Sequence, residues 1–151
     1  MGRAPFQVLV IPFVRCDDKI EYCVFERKTP LCQHQFIAGG GEDDETPLEA
    51  AKRECFEETQ MRSDDFIKLT SLCYIPTNIF SKDQRQIWGE EILVIPEYAF
   101  ATERKSKDVE LSDEHVGFKW STYREALSLL KWDSNKTALY ELDCRIKLEE
   151  N

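Results

Sequence analysis

The stretch GGGEDDETPLEAAKRECFEET, residues 39–59, joins a glycine-rich acidic segment to a helix with an unusual charge distribution. Thr46 and Pro47, followed by Glu49, predict that the helix begins at Pro47 with a capping box, and the pattern extends it to Thr59. Its C-terminal part carries three glutamates, Glu54, Glu57 and Glu58. Unsatisfied carbonyl groups give that end of a helix partial negative charge, so carboxylates are destabilising there.

The three glutamates lie on one face of the helix and repel each other. Two carboxylates about 4 Å apart repel by roughly 4 kcal/mol at an effective dielectric of about 20. One explanation is an ordinary solvated acidic face; the other is a bound divalent cation, which would turn the repulsion into attraction. The carboxylates, with the acidic segment before them, favour an all-oxygen site for Mg²⁺ or Mn²⁺. Arg53 lies one turn before Glu57 and can pair with it.

The rest of the chain predicts a single α/β domain over residues 1–151, in which helices cover a mixed β-sheet. Leu48, Ala51 and Cys55 form an apolar stripe that we expect to face the core. Residues 39–45 and 102–108 are predicted to be loops. The predicted strands are Phe6–Val14, Ile20–Phe25, Leu69–Ile75, Glu91–Phe100 and Glu114–Trp120, and the predicted helices are Pro47–Thr59, Thr122–Leu130 and Ser134–Leu148.

Composition excludes several classes of function. The net charge of -9 argues against binding to nucleic acid or to an anionic membrane surface. The apolar run Val8–Val14 is too short to span a bilayer. The cysteines form no C-x-x-C pair, so we expect reduced thiols in a cytoplasmic protein rather than a zinc site. They are Cys16, Cys23, Cys32, Cys55, Cys73 and Cys144.

The glutamate helix and the segment before it resemble the Nudix box, G-x5-E-x7-R-E-U-x-E-E-x-G-U, in which U is a bulky apolar residue. Every charged position of the box is present at the correct spacing. The sequence departs from it at Gln60, where the family has Gly, and at Cys55, a small version of U. The matching residues are Gly39, Glu45, Arg53, Glu54, Cys55, Glu57, Glu58 and Met61.

The resemblance implies a Nudix-type α/β/α sandwich around a mixed sheet and a metal-dependent attack of water on a phosphoanhydride. It implies that Arg53 orients the glutamates and that Gly39 and Glu45 are structural. The catalytic group would comprise Arg53, Glu54 and Glu57, and the general base is either Glu54 or a carboxylate outside the box. The implied metal ligands are Glu54, Glu57, Glu58 and the backbone carbonyl of Ala38.

Outside the box the chain resembles the dihydroneopterin triphosphate and dATP pyrophosphohydrolase branch of the family. The similar stretches are RAPFQVLV, LSDEHVGFKW and KWDSNKTALYEL. This match implies that Glu114 is a distal metal ligand and that Arg3 and Arg27 bind substrate phosphates. The alternatives are a solvated strand-edge position for Glu114 and an exposed, non-binding position for either arginine.

Three functions remain open from the sequence. The first is a pyrophosphohydrolase of a nucleoside or pterin triphosphate. The second is an ADP-ribose or nucleotide-sugar pyrophosphatase, because the spacing from Met61 to Pro76 resembles that of the marker proline of that subgroup; the alternative for Pro76 is a plain turn at the end of a strand. The third is a non-catalytic nucleotide-binding module, which the intact box disfavours. The expected partner is a small-molecule triphosphate, and homodimerisation is left open. Candidate ring-stacking aromatics are Phe36, Phe80 and Trp88, whereas Trp132 is expected to pack against the last helix.

Overall fold

The computed structural model describes residues 2–28, 33–62 and 65–149. Within these ranges the strands are β1 (Arg3–Cys16), β2 (Lys19–Arg27), β3 (His34–Gln35), β4 (Ile37–Glu42), β5 (Phe66–Pro76), β6 (Val94–Arg104) and β7 (His115–Ser121). The helices are α1 (Pro47–Thr59), α2 (Lys82–Trp88), α3 (Tyr123–Leu129) and α4 (Asp133–Glu149), and a short 3₁₀ helix spans Thr77–Ile79.

The strands form one mixed sheet in the order β3-β2-β1-β6-β5, with β4 also paired to β1 and β7 to β2. The long β1 strand is its centre: it runs parallel to β6 and antiparallel to β2 and β4. Parallel pairing requires a crossover connection, which the chain between β1 and β6 supplies. The predicted α/β class with a mixed sheet is therefore confirmed.

The alternation of side chains along β1 explains the three layers. Leu9, Ile11 and Phe13 are buried in a core cluster that contains residues of α3 and α4. Val8 and Val10 point to the other face and are buried in a second cluster with residues of α1. Because successive side chains of a strand face opposite sides, a strand that is apolar throughout must be covered on both.

Helix α1 has the predicted bounds. Its N-cap, Thr46, accepts a hydrogen bond from the Glu49 backbone N–H at 3.2 Å, and Glu49 Oε1 accepts one from the Thr46 N–H at 2.9 Å. At the other end Gln60 has φ of 60°, in the left-handed region. This is where the box has glycine, which adopts that conformation without a steric penalty.

Several sequence predictions were wrong in detail. The segment 39–45 is not all loop, because residues 39–42 belong to β4 and pair with β1. Helix α2 lies between two predicted strands, where no helix was predicted. Strand β6 begins at Val94 and continues through Arg104, because its pairing with β1 extends to Arg104. Leu48 does not face the core: it is 41% exposed, whereas Ala51 and Cys55 are buried as predicted.

The cysteines in the described part of the chain, Cys16, Cys23, Cys55, Cys73 and Cys144, are free thiols. This agrees with the expectation of reduced cysteines, while Cys32 lies outside the described residues. Across the described ranges, no helix is long and apolar enough to cross a membrane.

Candidate active site

Arg53 is the centre of a hydrogen-bond network that joins α1 to the end of β4. Its Nε and Nη2 donate to the two carboxylate oxygens of Glu45 at 2.7 and 2.9 Å, and Nη2 also donates to the Gly40 carbonyl at 2.8 Å. The hydrogen bond from Arg53 is the main reason that the pKa of Glu45 is lowered. A bidentate arginine–carboxylate pair fixes both partners in one plane, so Glu45 holds the guanidinium in position.

The remaining terminal nitrogen of Arg53 brings two of the helix glutamates together. Nη1 donates to Glu54 Oε1 and to Glu57 Oε1, each at 3.0 Å. The Glu54 side chain is 15% exposed and that of Glu57 is 48% exposed. Burial raises the pKa of Glu54, and the arginine opposes this shift. The structure thus places Arg53 where it can orient these carboxylates.

Gly39 on β4 lies directly against Glu54. A Cβ atom built on Gly39 would overlap the carboxylate carbon and both carboxylate oxygens of Glu54. No residue with a side chain fits there unless Glu54 or the strand moves. The glycine therefore makes room for a glutamate that points from α1 onto the sheet.

Glu58 is buried at 4% exposure, and its Oε2 has no hydrogen-bond partner among the described residues. The nearest cationic candidate is His115, whose Nε2 lies 4.0 Å away. Burial lowers the pKa of His115, so this imidazole does not supply a compensating charge. Burial, repulsion by Glu54 and the nearby Glu114 raise the pKa of Glu58 to about 9. Glu114, which is far from α1 in the sequence, therefore lies near Glu54 and Glu58 in the structure.

The two predicted phosphate-binding arginines interact electrostatically with different glutamates of this cluster. Arg27 is exposed at the end of β2 and is close enough to lower the pKa of Glu58. Arg3 is partly buried at the start of β1, where burial lowers its pKa and Glu54 opposes that shift. Both cations can thus interact with an anion bound at the glutamates.

The aromatics expected to stack on a ligand have other partners. Phe36 is fully buried in the core. Phe80 and Trp88 pack edge to face, with ring centroids 5.1 Å apart. The guanidinium of Arg3 lies 4.7 Å from the Phe80 ring centroid, and Trp88 Nε1 donates to the Arg3 carbonyl at 2.7 Å. The unpredicted helix α2 therefore holds Arg3.

A cavity of about 510 Å³ has Arg27 and Ala38 in its wall. Arg27 acts on the pKa of Glu58, and Ala38 precedes Gly39, which lies against Glu54. Sequence reasoning missed several polar side chains here, because strand position alone does not show which face borders a cavity. Trp132, expected to pack on the last helix, is 47% exposed and lines the cavity instead. The missed residues are Gln7, Gln33, Gln35, Glu97, Ser134 and Asn135.

A more open cavity of about 760 Å³ lies between α1 and the end of β6. Phe56, Arg62 and Arg104 contribute to its wall, and none of the predicted site residues does. The cavity that contains Arg27 and Ala38 is therefore the candidate substrate pocket.

The comparison with known families identifies the family of this domain. The model of the NUDIX domain matches residues 6–142. The chain belongs to the NUDIX family. This match covers both the glutamate helix and the strands that form the cavity, and it agrees with the observed α/β/α fold. No curated protein matches the sequence significantly.

Solved NUDIX structures share the fold. A protein described as a NUDIX hydrolase from Listeria monocytogenes is 42% identical, with 97% of each chain covered and a TM-score of 0.85. The dihydroneopterin triphosphate pyrophosphohydrolase of E. coli is 22% identical over 92% of this chain and 94% of its own, with a TM-score of 0.72. The NUDIX domain of Shewanella oneidensis NrtR, complexed with ADP ribose, is 13% identical over 97% and 90%, with a TM-score of 0.70.

The residues present in this NUDIX site fit a divalent cation. As the side chains stand, no three His, Cys, Asp or Glu residues of the described ranges converge tightly enough to hold a metal, because Glu54 and Glu57 are turned to Arg53. A cation would nevertheless satisfy the unpartnered Oε2 of buried Glu58 and offset its repulsion by Glu54. The donors are oxygens, as Mg²⁺ and Mn²⁺ prefer.

Proposed function

We propose that this NUDIX protein is a divalent-metal-dependent pyrophosphohydrolase of a nucleoside or pterin triphosphate, of the dATP or dihydroneopterin triphosphate type, and that it releases pyrophosphate. The observation that carries the proposal is the buried Glu58 carboxylate near Glu54 and Glu114, whose Oε2 has no hydrogen-bond partner among the described residues, together with a cavity that has Arg27 in its wall. Three carboxylates arranged in this way are stabilised by a cation, and a cation in turn binds phosphate oxygens.

In this proposal Glu54, Glu57, Glu58 and Glu114, with the Ala38 carbonyl, hold Mg²⁺, for which Mn²⁺ can substitute. The ion supplies charge neutralisation of the phosphates and lowers the pKa of bound water. Arg53 orients Glu54 and Glu57 through the hydrogen bonds described above. Proton transfer from the attacking water goes to a carboxylate of the same cluster.

Arg27 and Arg3 bind and orient the phosphate chain. The protein has a net charge of -9, so a substrate with several negative charges needs local cations to approach the site. Arg27 lines the cavity and acts on the pKa of Glu58, and the contacts with Trp88 and Phe80 restrict the position of Arg3. Phosphoryl transfer depends mainly on such positioning and on electrostatic stabilisation.

The test is release of pyrophosphate from triphosphates in the presence and absence of Mg²⁺, with wild type and Glu54→Gln. We expect the variant to lose at least about 100-fold in kcat while it keeps the wild-type fold. Glu49→Gln on the same helix is the matched control, because glutamine also completes a capping box at that position. Turnover of the Glu54→Gln protein at the wild-type rate would exclude the assigned role.

The second candidate is an ADP-ribose or nucleotide-sugar pyrophosphatase. The observation that favours it is Pro76, which ends β5 and lines the 510 Å³ cavity, where it can contact the group beyond the diphosphate. The NUDIX domain that binds ADP ribose shares only the fold with this chain. Turnover of ADP-ribose that exceeds turnover of every triphosphate would favour this second candidate.

A further inference from the structure

Glu97 on β6 is out of place in an otherwise apolar row. Side chains two residues apart on a strand share a face, so Glu97 lies in line with Ile95, Ala99 and Ala101. All three are buried, and Glu97 itself is only 6% exposed. It is also the one carboxylate among the described residues that line the 510 Å³ cavity. Burial of a carboxylate is unfavourable unless hydrogen-bond donors compensate, which points to a function.

The first donor to Glu97 is Gln7 on the neighbouring strand β1. Gln7 Oε1 accepts a hydrogen bond from Arg3 Nη2 at 3.0 Å, which fixes the orientation of the amide. The Gln7 Nε2 group therefore points the other way and donates to Glu97 Oε2 at 2.7 Å. Glu97 is thus held in place as an acceptor.

The second donor is Ser134 at the start of α4, and its orientation is also determined by its neighbours. Asn135 Oδ1 accepts from the Phe36 backbone N–H at 2.8 Å, so its Nδ2 donates to Ser134 Oγ at 3.3 Å. The Ser134 hydroxyl then has its own proton available for Glu97, and Ser134 lies close enough to lower the pKa of that carboxyl. Burial raises the pKa of Glu97, and the hydrogen bonds from Gln7 and Ser134 lower it.

These two donors leave part of the acceptor capacity of Glu97 unused. A carboxylate has about four acceptor positions. Glu97 also lines an adjoining cavity of about 210 Å³, so it lies where the two spaces meet. Trp132 and Tyr74, which are 47% and 57% exposed, supply aromatic surface on the cavity wall. A flat ring that enters along these aromatics can direct its polar edge to Glu97.

We propose that Glu97 selects substrates whose ring presents two adjacent N–H donors, as in the 2-amino-4-oxopyrimidine ring of guanine and of pterins, and that it disfavours adenine. The inference rests on the proposed function, because it specifies the ring of the triphosphate. Guanine and pterin place a ring N–H beside an amino group, which matches the two oxygens of one carboxylate. Adenine places an acceptor nitrogen beside its amino group, and that acceptor would face the Glu97 carboxylate.

The test compares kcat/KM for dGTP, dITP and dATP with Mg²⁺. Hypoxanthine keeps the ring N–H but lacks the amino group, whereas adenine keeps an amino group but has an acceptor nitrogen in place of the ring N–H. We expect kcat/KM for dGTP to exceed that for dATP by roughly 10- to 100-fold, with the value for dITP between them. In Glu97→Gln the side-chain amide replaces one acceptor with a donor. The kcat/KM values for dGTP and dATP should then differ by no more than about threefold. Glu103→Gln, on the same strand but outside this cavity, should keep the wild-type preference.

Binding of ligands without phosphates separates this inference from the proposed function. Guanosine and 7,8-dihydroneopterin, measured by calorimetry, should bind wild type and Glu103→Gln but bind Glu97→Gln at least about tenfold more weakly. If no triphosphate is hydrolysed but this binding pattern is found, the ring selection stands and the proposed function fails. Equal or better turnover of dATP by wild type, or an unchanged preference in a folded Glu97→Gln protein, would overturn the inference. If Glu97→Gln does not fold, the kcat/KM values of the wild type for dGTP, dITP and dATP alone test the inference.

Discussion

Gly39 and Glu54 occupy adjoining positions on the sheet and on helix α1, and the space for a Gly39 side chain is filled by the Glu54 carboxylate. Gly39 does not have a positive φ, so a left-handed backbone conformation is not the reason for a glycine here. The reason is the close approach of the Glu54 side chain. The helix and the strand are therefore packed around the position of one carboxylate.

Gly39→Ala should reduce activity while it leaves the fold intact. The added methyl group displaces Glu54 or β4, and a displacement of about 1 Å in a catalytic group reduces the rate by roughly 10- to 100-fold. Gly117→Ala is the control, because a Cβ there meets no atom within 4 Å. Steady-state kinetics and thermal unfolding of both variants check this. Full activity of Gly39→Ala would contradict the packing described for Glu54.

Glu58→Gln should stabilise the metal-free protein and abolish its stabilisation by metal. Burial, Glu54 and Glu114 raise the pKa of Glu58 to about 9, so at neutral pH folding requires this carboxylate to take up a proton, whereas a neutral amide avoids that cost. In the wild type, Mg²⁺ should raise the melting temperature because it binds the folded state. Each kcal/mol corresponds to about 2–4 °C in a protein of this size. The exposed Glu110→Gln should change neither quantity, and a Mg²⁺ shift retained by Glu58→Gln would exclude Glu58 as a ligand.

Gln60→Gly should stabilise the protein without changing its activity. Gln60 has φ of 60°, a conformation that is unfavourable for a residue with a Cβ and is readily adopted by glycine. After the greater entropy of glycine in the unfolded state is subtracted, we expect a gain of about 0.5–1 kcal/mol. Chemical denaturation measures the gain, and Gln60→Val should show the opposite sign. A loss of stability in Gln60→Gly would mean that the side-chain contact of Gln60 with the helix end outweighs the strain.

Glu141 should contribute an acid-dependent part of the stability. Burial raises its pKa, but hydrogen bonds from Ser71, Thr70 and Arg145 outweigh this effect and lower the pKa to about 2. Because the folded value lies below the unfolded value, the stabilisation is present above about pH 4.5 and is lost as the pH falls toward 2. The free energy of unfolding of Glu141→Gln should therefore fall less than that of wild type between pH 4.5 and pH 2.

The control for Glu141 is Glu90→Gln, an exposed carboxylate outside the helices and strands. The free energy of unfolding of Glu90→Gln should fall as steeply as that of wild type between pH 4.5 and pH 2. An equal slope in Glu141→Gln and in wild type would show that Glu141 does not retain its charge across this range.

The local features of the chain could be predicted from the sequence. Helix α1 has the predicted bounds because its start depends on Thr46, Pro47 and Glu49, which are neighbours in the chain. The course of β1 was also predictable, since a long apolar run can be stable only when both faces of the strand are covered. Arg53 could be paired with Glu57 because residues four apart share a helical face.

Apart from the position of Glu114, which the resemblance implied, most contacts between distant segments could not be predicted. Helix α2 is short, has no buried residue and is connected to the site by the bond from Trp88 to the Arg3 carbonyl. Residues 39–42 were predicted to be loop because glycines disfavour strands, yet pairing with β1 outweighs that preference. Nothing in the sequence distinguished Glu97 from other charged residues of its strand.

The sequence by itself determined the glutamate helix, its caps, the spacing of its charges and the two-sided apolar strand, because each depends on residues within a few positions of one another. Only the tertiary structure decided that Gly39 makes room for Glu54, that Glu114 joins the cluster and that Glu97 and Trp132 face one cavity. These relationships arise from the packing of segments far apart in the chain, and packing depends on the shapes of both partners at once.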